Sequence, residues 1–183
     1  MKYFILALLM CLSTFSEAQV ESTSPELPYK DGKVVFETIG VASGSTQQQI
    51  YAAAKKWIVE NFNSSKAVIQ SEDISTGQIL GKGIINVPFE IKTKAHNYNL
   101  SFDMQIDCKN EKFRLRLYNL IIVSIPSVNQ AQLNKPIETM DLMAKAEKND
   151  ERWTVIKTAL NNKIISLINS FNKEIRGSKK DEF

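Results

Sequence analysis

Three consecutive stretches of strict period-two alternation constrain this chain more than anything else in its 183 residues. From Ile79 to Ile91 every odd position is apolar or glycine, with Lys82, Asn86 and Glu90 between them. Tyr98, Leu100, Phe102, Met104, Ile106 and Cys108 then alternate with Asn97, Asn99, Ser101, Asp103, Gln105 and Asp107. Phe113, Leu115 and Leu117 do the same against Lys112, Arg114 and Arg116. Successive side chains of a strand point to opposite faces, so these runs predict antiparallel strands with one buried and one wet face.

The turns between the runs must keep apolar residues on one side. A tight turn at Lys109-Asn110 or at Asn110-Glu111 leaves Ile106 opposite an apolar residue and Asp107 opposite Lys112 or Arg114. A tight Ala95-His96 turn sets Ile91 beside Leu100 and Phe89 beside Phe102. Upstream, a strand from Lys66 to Ile74 joins through Ser75-Thr76-Gly77, and a left-handed Gly77 aligns Ile69 with Gly83.

The flanking segments carry helical signals. A strand at Lys33 to Val41 is followed by a turn containing Gly40 and Gly44. Ser45 and Gln48 have the spacing of a capping box. The helix they open runs to about Phe62, with Ile50, Ala54, Trp57 and Ile58 on one face. The alternation ends at Pro126, and a short helical stretch follows at Ile137 to Glu147. A last helix spans Asp150 to Arg176, with Trp153, Ile156, Leu160, Ile164, Leu167, Ile168, Phe171 and Ile175 on one stripe and Gly177 as its stop.

The predicted fold class is α+β: a curved antiparallel five-stranded sheet with two helices on one face, in the order β-α-β-β-β-β-α. At this point the chain resembles small exported bacterial domains of unknown function with a TBP-like fold. The likeness is carried by Ser45 to Phe62 with Trp57, by Val68 to Gly83 with Glu72-Asp73, Gly77 and Ile79-Leu80-Gly81-Lys82-Gly83, and by the hairpin Cys108 to Arg114. It covers residues 33–125 well and the last helix loosely. Glu111 departs from the glycine that the resemblance leads one to expect at its turn. The resemblance implies a curved antiparallel sheet and supplies no catalytic residue.

Chemistry-bearing residues do not assemble into a catalytic signature. Gly81-Lys82-Gly83 has Asn86 where a dinucleotide fingerprint needs its third glycine, and it lies within a strand, so it reads as a bend under a helix. His96 is the single histidine, stands in a predicted turn, and has no identifiable triad or zinc partners. Asp103 and Asp107 face basic residues across the strands, which favours ion pairs over calcium. No catalytic, cofactor-binding or metal residue is assigned, and the domain is read as non-enzymatic. Lys82, Lys92, Lys112, Arg114 and Arg116 share the wet face with Asp103, Asp107 and Glu90. That mixture, without aromatic wedges and on an exported chain, excludes nucleic acid.

Leu80, Ile84, Tyr118, Leu120 and Ile122 are apolar although they have the parity of the wet face. With Arg114 and Arg116 they form the candidate interaction surface, unless the 127–149 segment folds over its apolar end. The leading functional reading is therefore a binding domain that uses this face to engage an envelope protein or a second copy. The alternative is a carrier for a small hydrophobic ligand, with a cavity between sheet and C-terminal helix; an envelope hydrolase ranks third.

The amino terminus sets the expected location. Lys2, the apolar run Tyr3 to Leu12, and Ser16-Glu17-Ala18 have the form of a signal peptide over residues 1–18, and the run is too short to span a bilayer. Met10 occupies the position before Cys11 where a lipobox needs a small residue. Residues 19–32 read as a flexible leader, 33–176 as one domain and 177–183 as a charged tail. The net charge of +3 is mild, and Cys108 alone remains after cleavage, a buried inert thiol by its parity. The protein is thus expected to act in the periplasm or outside the cell. Intact mass of protein recovered from its host should show a start at or near Gln19 and no lipid; a cytosolic product retaining residues 1–18 would contradict this.

Overall fold

The computed structural model describes residues 25–62, 68–123, 134–146 and 150–178; the segment expected to be a signal peptide and the end of the tail lie outside them. The chain order is β1 (Tyr29–Lys30), β2 (Lys33–Val34), β3 (Phe36–Val41), α1 (Gln47–Asn61), β4 (Ile69–Asp73), β5 (Gln78–Ile91), β6 (Lys94–Lys109), β7 (Lys112–Val123), β8 (Asn134–Pro136), α2 (Ile137–Ala146) and α3 (Asp150–Gly177). The main sheet is antiparallel with spatial order β3-β7-β6-β5-β4, and β8 pairs the end of β7 as a sixth strand. β1 and β2 form a separate hairpin.

The alternation behaves as the sequence requires. Ile79, Leu100, Met104, Ile106, Leu115 and Leu117 are fully buried, and they meet Trp57 of α1 and Phe171 of α3 in one core. The Trp57 and Phe171 rings lie 5.0 Å apart edge to face, and Trp57 Nε1 donates to Ser170 Oγ at 2.8 Å, so the two helices are fastened over the same sheet face. Cys108 is fully buried, and desolvation, aided by the Asp107 charge, pushes its thiol up to about 12.

Several local expectations are corrected. The capping box is Thr46 with Gln49, one residue later than Ser45 and Gln48: Gln49 N donates to Thr46 Oγ1 at 3.2 Å and Thr46 N to Gln49 Oε1 at 2.8 Å. Ser45 is instead buried, its Oγ 3.1 Å from Ser178 Oγ. The β5–β6 turn is Lys92-Thr93, both with positive φ, so Ile91 faces Lys94 and Phe89 faces His96. His96 lies in β6 rather than in a turn, its ring stacked 5.6 Å from Phe89. Ile69 faces Gly81, not Gly83, because the turn takes Ile74 to Gly77 and a bulge follows in β4; Gly77 is left-handed, φ +73. The β6–β7 turn is Asn110-Glu111, and Ile106 faces Leu115 while Asp107 faces Arg114. Glu111 holds φ +61, the region glycine favours, and its carboxylate accepts from Gly44 N at 2.7 Å, fixing the turn against the β3–α1 loop.

Among the described residues the sheet has six strands rather than five, and the short helical stretch expected from Ile137 is a third helix, α2, packed on the core beside the two long ones. Gly40 belongs to β3, not to a turn. Within residues 25–32, expected to be part of a flexible leader, two side chains are anchored although most of the stretch is exposed. Leu27 is buried in the core, and the Tyr29 hydroxyl reaches α2. Two well-placed anchors order a stretch whose overall composition is polar.

The correction with the widest effect is a β-bulge in β7. Tyr118 faces Asp103 but Ile121 faces Ser101, so Asn119 and Leu120 together oppose Phe102. Asn119 absorbs the extra residue with φ +51, a conformation asparagine tolerates better than most side chains. Beyond it the parity of β7 reverses. Leu120 and Ile122 turn into the core and are fully buried, while Ile121 turns outward.

Gly83 shows how tightly the core face is closed. A Cβ there would lie 2.5 Å from the Phe102 ring and 3.0 Å from that of Phe62. The close neighbours are these rings rather than Trp57 or the last helix. Gly83→Val should lower stability by about 1–3 kcal/mol through overpacking, whereas Lys82→Val, on the exposed face, should be nearly neutral. Urea denaturation of the two variants checks this; equal losses would mean the faces of β5 are misassigned.

Candidate functional site

The registers lay out the outer face of the sheet, opposite the helices, as rows. One row reads Ile39, Arg114, Asp107, Gln78, Asp73; the next reads Glu37, Arg116, Gln105, Leu80, Ser71; then come Tyr118, Asp103, Lys82 and Ile121, Ser101, Ile84. Charge in these rows is met within the face. Arg114 grips Asp107 through Nη2 at 2.7 Å and Nε at 2.9 Å, and Gln78 and Gln105 add donors at 3.0 and 3.1 Å. Burial would raise the Asp107 pKa, but Gln78, Arg114 and Gln105 outweigh it and hold the carboxyl below its ordinary value. Arg116 Nε lies 3.2 Å from Glu37 as an ion pair without an aligned hydrogen bond. Asp103 accepts from Asn119 at 2.7 Å and has Lys82 at 3.8 Å.

Of the seven residues expected to form an interaction surface, five share this face. Arg114 and Arg116 are committed to ion pairs, Leu80 and Tyr118 are half-buried, and Ile84 is 65% exposed. Leu120 and Ile122 do not belong to it, since the bulge buries both on the core side. The described part of the 127–149 segment does not explain their burial as a lid over the outer face: β8 pairs the edge of β7, and α2 buries Ile137 and Ala144 in the core. Ile39 and Val41, unassigned from the sequence, are exposed at the other end of the face.

A second feature lies at the opposite end of the core. Strands β5 and β6 run past the end of β7, so residues 87–98 form a two-stranded arm that packs on α3. Between arm, α2 and α3 is an inner pocket of ≈ 250 Å³ walled by Tyr98, Met140, Met143, Ala144, Trp153 and Ile156, with Arg152 at its lip. It adjoins an outer groove of ≈ 610 Å³ that shares Arg152 and carries Lys92, Lys94, His96, Glu90 and Glu151.

One buried carboxylate holds the walls. Asp141 of α2, 3% exposed, accepts from Trp153 Nε1 at 2.7 Å and from the Tyr29 hydroxyl at 3.0 Å, with Lys145 Nζ at 2.9 Å and Lys157 Nζ at 3.9 Å. Glu138, one turn earlier, accepts from Val34 N at 2.8 Å. Burial opposes ionisation of Asp141, but Lys145, Trp153 and Tyr29 outweigh it and lower its pKa. Desolvation, then the hydrogen bond to Asp141, raises Tyr29 to about 12. The α2 stripe was legible as helix, but nothing in its pattern marked Asp141 as an inward position. An acid among Met140, Leu142 and Met143 was the available signal.

Among the described residues no three His, Cys, Asp or Glu side chains are placed to hold a metal ion, and no helix is long and apolar enough to cross a membrane.

Residues 36–123 match the family model of a domain of unknown function (DUF4468) with TBP-like fold. They are a DUF4468 domain. The fold is similar to the crystal structure of a TBP-like protein from Parabacteroides distasonis, with TM-score 0.58, 13% identity, and coverage of 79% of this chain and 96% of that one. It is similar also to a DUF4468 family protein from Bacteroides ovatus, with TM-score 0.54, 17% identity, and coverage of 79% and 90%. No curated protein matches the chain. The matched segment of the DUF4468 domain ends at Val123, so it contains the sheet from β3 to β7 and Tyr98, while the other walls of the pocket, on α2 and α3, lie beyond it.

Two outcomes follow. Ile122→Asp should cost the monomer several kcal/mol because it places a charge in the core, while Ile84→Asp should leave the melting temperature almost unchanged; tolerance of the former would contradict the bulge. Asp141 binds its proton more weakly folded than unfolded, so its contribution is present above the ordinary carboxylate pKa and is lost as pH falls through the lowered one. Asp141→Asn should cost about 2–3 kcal/mol at neutral pH and flatten the acid limb of the stability profile, measured by denaturation from pH 7 downwards.

Proposed function

We propose that the protein is an exported, non-catalytic binding module whose ligand site is the groove between the β5–β6 arm of its DUF4468 domain and helices α2 and α3. The observation that carries this reading is the open inner pocket, whose described walls are almost entirely apolar side chains contiguous with the core. Small-molecule sites are concave and mostly apolar, with few polar groups. Two methionines give the walls a shape that adapts to different occupants. Trp153 is held in place by Asp141 before any ligand arrives, which lowers the ordering cost of binding.

The outer sheet face supports a docking role less well. Its acids and bases satisfy one another, and the inward turn of Leu120 and Ile122 leaves Ile84 as its one largely exposed apolar side chain near the bulge. Export is read from residues 1–18 and sets the domain among extracytoplasmic small molecules rather than nucleotides.

The test is titration with N-phenylnaphthylamine, a neutral dye that brightens in apolar surroundings. Saturable enhancement is expected in the native protein. Ala144→Phe, which fills the pocket, should weaken uptake at least about tenfold, with a cooperative melting transition showing that the variant is folded. Absence of saturable uptake, or uptake indifferent to Ala144→Phe, would contradict the proposal.

A further inference from the structure

We infer that the groove selects single-chain amphiphiles with an anionic head, of the carboxylate type, with the tail in the inner pocket and the head at Arg152. The inference rests on the groove being a ligand site and concerns which chemistry it takes. Among the described residues, Arg152 is the only charged one lining the inner pocket. It forms no ion pair with any described residue, in contrast to Arg114 and Arg116, each of which has a carboxylate partner on the outer face. A guanidinium presents a planar fork of donors that matches a carboxylate in a two-point contact.

A second cation stands on the other wall. Lys135 Nζ lies 3.4 Å from Met143 Sδ, which brings an ammonium to the edge of the apolar lining. Among the described residues, Asp141 is buried behind Trp153, while Glu90 and Glu151 line the outer groove, where Lys92 and Lys94 accompany them. None of these acids lines the inner pocket. A pocket whose described lining holds a cation and no anion is complementary to an apolar tail ending in negative charge, and a quaternary ammonium of the same length meets like charge there.

Calorimetric titration with decanoate, decanol and decyltrimethylammonium, all below micelle-forming concentration, tests this. Native protein should bind decanoate about tenfold more tightly than decanol and the ammonium most weakly. Arg152→Gln should remove the preference by weakening decanoate alone, with decanol affinity and melting temperature unchanged. Lys92→Gln with Lys94→Gln should leave the preference in place. Equal affinity for decanoate and decanol, or a preference that survives Arg152→Gln, overturns the inference while the groove remains a ligand site. Failure of all three chains and of the neutral dye overturns the groove itself, and with it this inference.

Discussion

The extra residue at Asn119 is the constraint on which the rest of the structure depends. A strand has a fixed two-residue repeat, so an apolar pattern that changes parity part-way must either expose part of itself or take in a bulge. β7 takes in the bulge. Phe113, Leu115 and Leu117 point inward before it, and Leu120 and Ile122 point inward after it. Without that shift the sheet would carry an apolar patch on its wet side and a deficit on its core side. With it, one continuous core runs from Phe113 to the arm, and the outer face is left with rows of mutually paired charge.

The division of labour between the two faces follows. The inner face is closed to the point that a methyl group at Gly83 would strike Phe102. On the outer face Asp107 and Arg114 are held by one another and by neighbouring amides. One opening lies where β5 and β6 outrun β7, and there α2 and α3 supply the missing walls. Asp141 joins those walls to the amino-terminal hairpin through Tyr29 and to α3 through Trp153. On the proposed reading, the sheet is the support and the added helices make the site.

Much of this was legible in the sequence, and the failures have physical causes. Alternation reports which face a residue takes, so the inward residues of β5, β6 and the first half of β7 were readable, as were the apolar stripes of α1 and α3. It does not report position along the strand: residues 92–97 are polar or small on both sides, and the turn at Lys92-Thr93 has no glycine or asparagine to mark it, so its position was missed although its parity was right. Ser45-Thr46 followed by three glutamines offers two overlapping capping boxes, and only tertiary contact decides between them. The bulge was legible in principle, since Leu117, Asn119, Leu120 and Ile122 show the change of parity beside a residue suited to positive φ. Of the groove, the apolar stripe of α3 was visible, but the meeting of Tyr98, Met140 and Trp153 depends on how far the arm reaches.

The parity reversal is tested most directly by thiol labelling of single cysteines introduced as Leu120→Cys, Ile121→Cys and Ile122→Cys in protein beginning at Gln19. Cys108, fully buried, serves as the internal unreactive thiol. The account predicts that under native conditions a maleimide labels the protein substituted at Ile121, while those substituted at Leu120 and Ile122 react only on unfolding. Rapid labelling at positions 120 and 122 with protection at 121 would mean that the alternation of β7 runs unbroken, and would contradict the account.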